Sequence, residues 1–144
     1  LVKQVKCSKY VGGKMEEKKE GLPKKILIVD DNQDSRELAV KILKKVGYQM
    51  IEAADGEDAL EKANTENPDI ILMDISIPKI DGYEVTRRLK SQVSFKDTPI
   101  IALTAHAMKG DKEKAMEAGC EGYISKPIDI HELPNQIKSY LKDK

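Results

Sequence analysis

Asp30 and Asp31 stand side by side where an apolar run, Ile26 to Val29, stops. Two adjacent carboxylates repel each other, and an apolar edge penalises both charges. Three further runs end in the same manner: "DIILMD" on Asp74, "PIIALT" on Thr104 and "EGYISK" on Lys126. A single polar residue after a strand is commonplace. Three carboxylates, a hydroxyl and an ammonium after successive strands form a set with chemical meaning.

Clustered carboxylates need neutralising, and a hard divalent cation such as Mg2+ does this with oxygen ligands while keeping several waters. Asp31 and Asp74 are the expected direct ligands. Asp30 would bind directly or through a water, and the backbone carbonyl of Ser76 would complete the shell. The competing reading of Asp30 and Asp31 is a helix cap beside a solvated charge, since a helix opens nearby.

Lys126 and Thr104 narrow the chemistry. A phosphoryl group presents oxygens that suit the metal, the Lys126 ammonium, and the Thr104 hydroxyl with nearby amides. A carboxylate can itself accept a phosphoryl group, and Asp74 fits that role because a strand holds it while the following loop leaves it open. Pro127 restricts Lys126 to an extended backbone. A cis bond between them would aim the lysine back across the strand ends; an ordinary trans turn proline is the plainer alternative.

These residues need a frame that brings them to one edge. Apolar runs at 26–29, 69–74 and 99–104, with weaker ones at 48–53 and 121–126, alternate with helical patterns. The first helix carries Leu38, Ala39, Ile42, Leu43 and Val46 at helical spacing and stops at Gly47. Helices are expected at 55–64 and 81–90, opened by Asp55 and Asp81 with Asp58 and Glu84 at capping-box spacing. A polar, weak helix is expected at 109–119. Asp129 can cap a last helix with a stripe of Ile130, Leu133, Ile137, Tyr140 and Leu141; Pro134 requires its regular part to start late, after a 3₁₀-like turn. Five strands alternating with five helices predict an α/β fold with a parallel sheet covered on both faces. Its strand order must reverse somewhere, and ligands bind beyond the strands' carboxyl ends at that reversal.

The chain has 144 residues, one ordinary domain plus a tail. Lys plus Arg and Asp plus Glu number 25 each, so nothing in the charge balance asks for nucleic acid or an anionic membrane. Cys7 and Cys120 are too few for a disulfide scaffold and too far apart for a paired metal-ligand pattern. No stretch approaches the roughly 18 apolar residues of a membrane span, and the N-terminus lacks a secretory signal, so a cytoplasmic location is expected. Residues 1–23 carry six Lys against three Glu without periodicity. They are expected to be a flexible extension or linker ahead of a domain at 24–144. Met15 could open the natural chain behind foreign residues, or the stretch could end a preceding segment.

The motifs "ILIVDDN" (26–32), "DIILMDISIPKIDG" (69–82), "IIALTAHA" (100–107) and "GYISKPI" (122–128) together resemble the receiver domain of bacterial response regulators in two-component signalling. The resemblance runs from about Lys24 to Leu141. It implies a doubly wound, flavodoxin-like sheet of order 2-1-3-4-5 with five helices, Mg2+ binding, and phosphoryl transfer to Asp74 from a histidine kinase or a histidine phosphotransfer protein. It also implies that Asp30 and Asp31 are the acidic pair, Lys126 the lysine that bonds the phosphoryl group, Thr104 the switch hydroxyl and Tyr123 the switch aromatic. The surface of the fourth helix, fifth strand and fifth helix is then what a downstream protein reads. Ser76, Ala105 and His106 fall where the family tunes access to the phosphoryl group. Ile77 departs from the commoner methionine, a change that should leave the loop intact. With no output domain in this stretch, the receiver would either stand alone or belong to a hybrid kinase or larger regulator.

Other classes fit less well, a nucleotide-binding protein least, since the first strand lacks a glycine-rich turn and the P-loop lysine and Ser/Thr. A hydrolase with an aspartyl phosphate intermediate generally needs a second acid two residues after the nucleophile, where this chain has Ser76. An interaction module that has lost its chemistry would not need all five groups.

Overall fold

The computed structural model describes residues 9–11, 14–16, 23–105 and 109–141. Near the N-terminus, Lys9–Val11 pairs antiparallel with Lys14–Glu16. The domain that follows alternates strands and helices: β1 (Lys25–Val29), α1 (Gln33–Val46), β2 (Gln49–Ala53), α2 (Gly56–Glu66), β3 (Ile70–Asp74), α3 (Gly82–Lys90), β4 (Ile100–Thr104), α4 (Lys109–Ala118), β5 (Gly122–Ser125) and α5 (Leu133–Leu141). All five strands are parallel, in the order β2-β1-β3-β4-β5. The order reverses at β1, so the crevice between the ends of β1 and β3 is the expected binding position of a doubly wound sheet.

The apolar runs are continuous because each strand is covered on both sides. Alternate residues serve opposite faces: Leu27, Val29, Ile71 and Met73 pack with Ala59, Val85 and Leu89. Ile26, Ile28, Ile70 and Leu72 pack with Ala39, Leu43 and Ile137. A one-residue slip of any central strand would exchange these sets, so the register that aligns the strand ends is enforced by both cores.

The caps at Asp55 and Asp81 lie where the spacing predicts them, whereas α1 is capped by Asn32 and not by Asp30 or Asp31. Asn32, Asp55 and Asp81 accept hydrogen bonds from the amides of Ser35, Asp58 and Glu84. Glu84 does not reciprocate as a capping-box partner; its carboxylate pairs with Arg87 and Arg88. Gly47 ends α1 at φ 117°, a left-handed conformation open to glycine at little cost. Before α5, the Glu132 amide bonds the Asp129 carbonyl at 3.1 Å in an i to i+3 turn, and the regular helix begins only at Leu133.

Three apolar residues assigned to helical stripes, Leu38, Val46 and Ile130, are exposed. Leu38 and Val46 lie at the margins of a face whose centre, Ala39 and Leu43, meets the sheet, and Ile130 precedes the regular helix. A 3₁₀ turn at Val93–Phe95, absent from the sequence expectations, buries Phe95 in the core. Ile77 is buried there too, as its hydrophobic character required.

Candidate functional site

At the carboxyl edge of the sheet, backbone hydrogen bonds lock the chemical residues to their neighbours. The Asp30 amide bonds the Ala53 carbonyl at 3.0 Å, the Ile75 amide bonds Leu103 at 3.2 Å, and the Lys126 amide bonds Thr104 at 2.7 Å. These bonds tie the end of β1 to β2 and the ends of β3 and β5 to β4, and the side chains that follow share one rim.

Asp30, Asp31 and Asp74 each place a carboxylate oxygen within 4.8 Å of the other two. Asp30 and Asp74 are buried and Asp31 is exposed, so the cluster opens to solvent on the Asp31 side. Asp74 Oδ1 accepts from the Ser76 amide at 3.0 Å, and Oδ2 accepts from Lys126 Nζ at 3.0 Å. Lys126 Nζ also lies 2.9 Å from Asp30 Oδ2. That contact is an ion pair outside hydrogen-bonding geometry, and Asp30 Oδ2 has no hydrogen-bond donor although it is fully buried. The peptide bond between Lys126 and Pro127 is cis.

The electrostatics follow from this crowding. Burial pushes the Asp74 carboxyl above the usual aspartate value, Asp30 adds repulsion, and the bonds from Lys126 and the Ser76 amide oppose the rise. Burial alone would lower the Lys126 ammonium, but the close, negatively charged Asp30 and Asp74 carboxylates outweigh it and hold the group above the usual lysine value. One ammonium faces three carboxylates. The uncompensated negative charge and the all-oxygen donor set fit a hard divalent cation.

The loop after Asp74 is pinned by two glycines. A Cβ on Gly82 would come 2.5 Å from the Asp74 carbonyl oxygen, and one on Gly56 would collide with the Ile80 carbonyl. The Gly82 amide returns to the Ile75 carbonyl at 3.1 Å. These approaches close the loop against its own strand and against the start of α2, so Asp74 is presented on a braced backbone.

Of the residues singled out in the sequence, Asp30, Asp31, Asp74 and Lys126 meet. Thr104 ends β4 and is half-buried, with its carbonyl holding Lys126. Ser76 contributes an amide to Asp74, and Ala105 is exposed after β4. His106 lies outside the described residues. Tyr123 lies on β5 with its ring against the core and Lys112 Nζ 5.3 Å above the ring centroid. The sequence reading passed over Arg36, whose Nη1 donates to the Asp30 carbonyl at 2.7 Å and whose Nε donates to Glu52 Oε1 at 3.0 Å. Its only sequence signal was its place in the first turns of a helix that starts beside the acidic pair.

The family model of the response regulator receiver domain matches residues 26–138. The polar-differentiation response regulator DivK of Brucella anthropi is 44% identical over 122 residues, 85% of this chain and 99% of DivK. Among solved structures, the receiver domain of the sensor histidine kinase PA1611 from Pseudomonas aeruginosa, solved with a magnesium ion in its active-site cleft, is 36% identical with a TM-score of 0.78, covering 83% of this chain and 98% of that one. The chemotaxis response regulator CheY4 of Vibrio cholerae is 31% identical with a TM-score of 0.79, covering 83% and 99%. The chain belongs to the response regulator receiver domain family. Its Asp30, Asp31 and Asp74 cluster is positioned for metal-assisted phosphorylation, and the protein is a phosphotransfer switch whose acidic cluster matches the self-phosphorylating and self-dephosphorylating site of receivers. The likeness to a sensor-kinase receiver and a chemotaxis receiver supports partners of the phosphorelay kind. Among the described residues, no helix is long and apolar enough to cross a membrane.

Proposed function

We propose that Asp74 accepts a phosphoryl group from the phosphohistidine of a histidine kinase or phosphotransfer protein, with Mg2+ as the cation, in the cytoplasm. The observation that carries this reading is the convergence of three carboxylates within 4.8 Å, one of them bonded to Lys126. Asp30, Asp31, Asp74 and the Ser76 carbonyl would hold the ion. Bound Mg2+ would neutralise the carboxylates and the charge on the transferring phosphoryl oxygens.

An Asp74 carboxylate oxygen forms a bond to phosphorus as the bond from phosphorus to the donor imidazole breaks. The leaving nitrogen keeps the electron pair. Lys126 exchanges its bond to Asp74 for one to a phosphoryl oxygen, which removes an ion pair from the ground state and supplies a charge-assisted contact to the product. Thr104 turns its hydroxyl to another phosphoryl oxygen, and Tyr123 moves into the space this opens. The face of α4, β5 and α5 changes with it, and a downstream protein reads that face. Water attack on phosphorus breaks its bond to the Asp74 oxygen, returns the carboxylate and releases inorganic phosphate, with Ser76, Ala105 and His106 tuning the water's access. Residues 24–144 form the switch, and residues 1–23 are an appendage to it.

Beryllofluoride with Mg2+ tests the reading. The complex should form at Asp74 and shift the NMR resonances of Thr104, Tyr123 and α4. Binding of Mg2+ without any beryllofluoride adduct in the unmodified chain would refute it.

A further inference from the structure

Three bonds hold Asp30. Its amide is tied to Ala53, its Oδ1 accepts from the Asn32 amide at 2.9 Å, and its carbonyl accepts from Arg36 Nη1 at 2.7 Å. That carbonyl belongs to the peptide unit joining Asp30 to Asp31, so whatever holds its plane restrains ψ of Asp30 and φ of Asp31, the backbone from which both carboxylates leave. Arg36 is anchored at its other end, where Nε meets Glu52 Oε1 at 3.0 Å, one residue before the end of β2. Its side chain is only 16% exposed. Lys62 of α2 in turn donates to the Glu52 carbonyl. The guanidinium thus bridges the turn after β1 to the end of β2, from a helix that begins in the same turn.

We infer that Arg36 is a positioning residue for the cation site: its planar fork orients the Asp30–Asp31 peptide so that both carboxylates converge with Asp74. The inference rests on the proposed Mg2+-dependent phosphorylation of Asp74 and deepens it. It makes a prediction opposite in sign to simple electrostatics. A positive charge beside an acidic site weakens cation binding, so on charge alone deleting Arg36 would tighten Mg2+ binding. If Arg36 acts by orienting the acidic pair, deleting it weakens binding, and outer partners of metal ligands typically matter by about tenfold or more in affinity. A lysine at 36 keeps the charge but cannot span both partners as a fork.

The experiment is calorimetric titration of the full chain with Mg2+ alone, in the unmodified protein, Arg36→Gln and Arg36→Lys, with circular dichroism as the check on folding. Affinity should fall about tenfold in Arg36→Gln and by less, in the same direction, in Arg36→Lys. The rate of Asp74 phosphorylation by acetyl phosphate should recover towards the unmodified rate at saturating Mg2+, so that the metal requirement rises while the limiting rate changes little. Equal or tighter Mg2+ binding in Arg36→Gln overturns the inference. Should that variant fail to fold, Arg36→Lys decides: weakened binding supports the positioning role and unchanged affinity overturns it. An unmodified chain that binds no Mg2+ would instead refute the functional reading itself, and this inference with it.

Discussion

Asp74 combines two demands that oppose each other, since it must be shielded enough to exclude stray water and open enough to meet a donor. Burial raises its pKa while Lys126 and the Ser76 amide hold it back, which makes Lys126 the group on which the balance turns. Lys126→Met keeps the length of the side chain and removes the cation that, among the described residues, is bonded to the cluster. Loss of one preorganised donor to a transferring group typically costs roughly a hundredfold in rate. Single-turnover labelling by acetyl phosphate at saturating Mg2+ should show that loss with circular dichroism unchanged. Cys120 offers a test independent of the site. Burial pushes its thiol up from 9.0 to about 11, partly offset by its contact with Thr86. A raised acid contributes stability that is full below its unfolded value and lost as pH climbs towards its folded one. Between pH 8 and pH 10 the unmodified protein should therefore lose roughly 1 kcal/mol more stability than Cys120→Ala, read by urea unfolding. Native Cys120 should also resist iodoacetamide at pH 8. The acidic residues and Lys126 were legible in the sequence because each follows an apolar run. Arg36 was not, because an arginine in a helix reads as solvated until its partners across the fold are known.

Elements, more than single contacts, set the precision of the rim. The loop between β3 and α3 has no room beside the Asp74 carbonyl, so Gly82→Ala must push the strand end or the helix aside. The expected cost is about 1–3 kcal/mol, the usual range for overpacking, accompanied by slower phosphorylation of Asp74. Thermal unfolding and acetyl phosphate labelling of the same variant check both halves. At the opposite end of the sheet, Lys90 of α3 donates to the Thr98 carbonyl at 2.6 Å and to Glu121 Oε2 at 2.8 Å, while Glu121 Oε1 accepts from the Ile100 amide at 2.8 Å. This network joins α3 to the starts of β4 and β5. Lys90→Met should lower stability by about 1–3 kcal/mol in urea unfolding and leave Asp74 labelling unchanged. The helices, the caps at Asp55 and Asp81 and the late start of α5 could be read from local chemistry, while the Asn32 cap of α1 was missed. The 3₁₀ turn that buries Phe95 and the close approaches at Gly56 and Gly82 could not, because they arise between segments that meet only in the folded chain.

On the scale of the whole molecule, two cores on opposite faces hold five strands in one register, and that register brings residues 30, 31, 74 and 126 to a single edge. The parallel alternation was readable from apolar runs with flanking caps, and the strand order came from the resemblance to receivers. Convergence of the acidic pair with Asp74 followed from that topology, whereas the bond from Lys126 to Asp74 needed coordinates. The switching function depends on phosphoryl acceptance by Asp74. Its most direct test is intact and peptide mass spectrometry after incubation with acetyl phosphate, with and without Mg2+, in the unmodified protein and in Asp74→Asn. One added phosphoryl group is expected on the peptide containing Asp74, dependent on Mg2+ and absent from the variant. Labelling that persists in Asp74→Asn at the same yield, or a chain that binds Mg2+ and stays unlabelled, would contradict it.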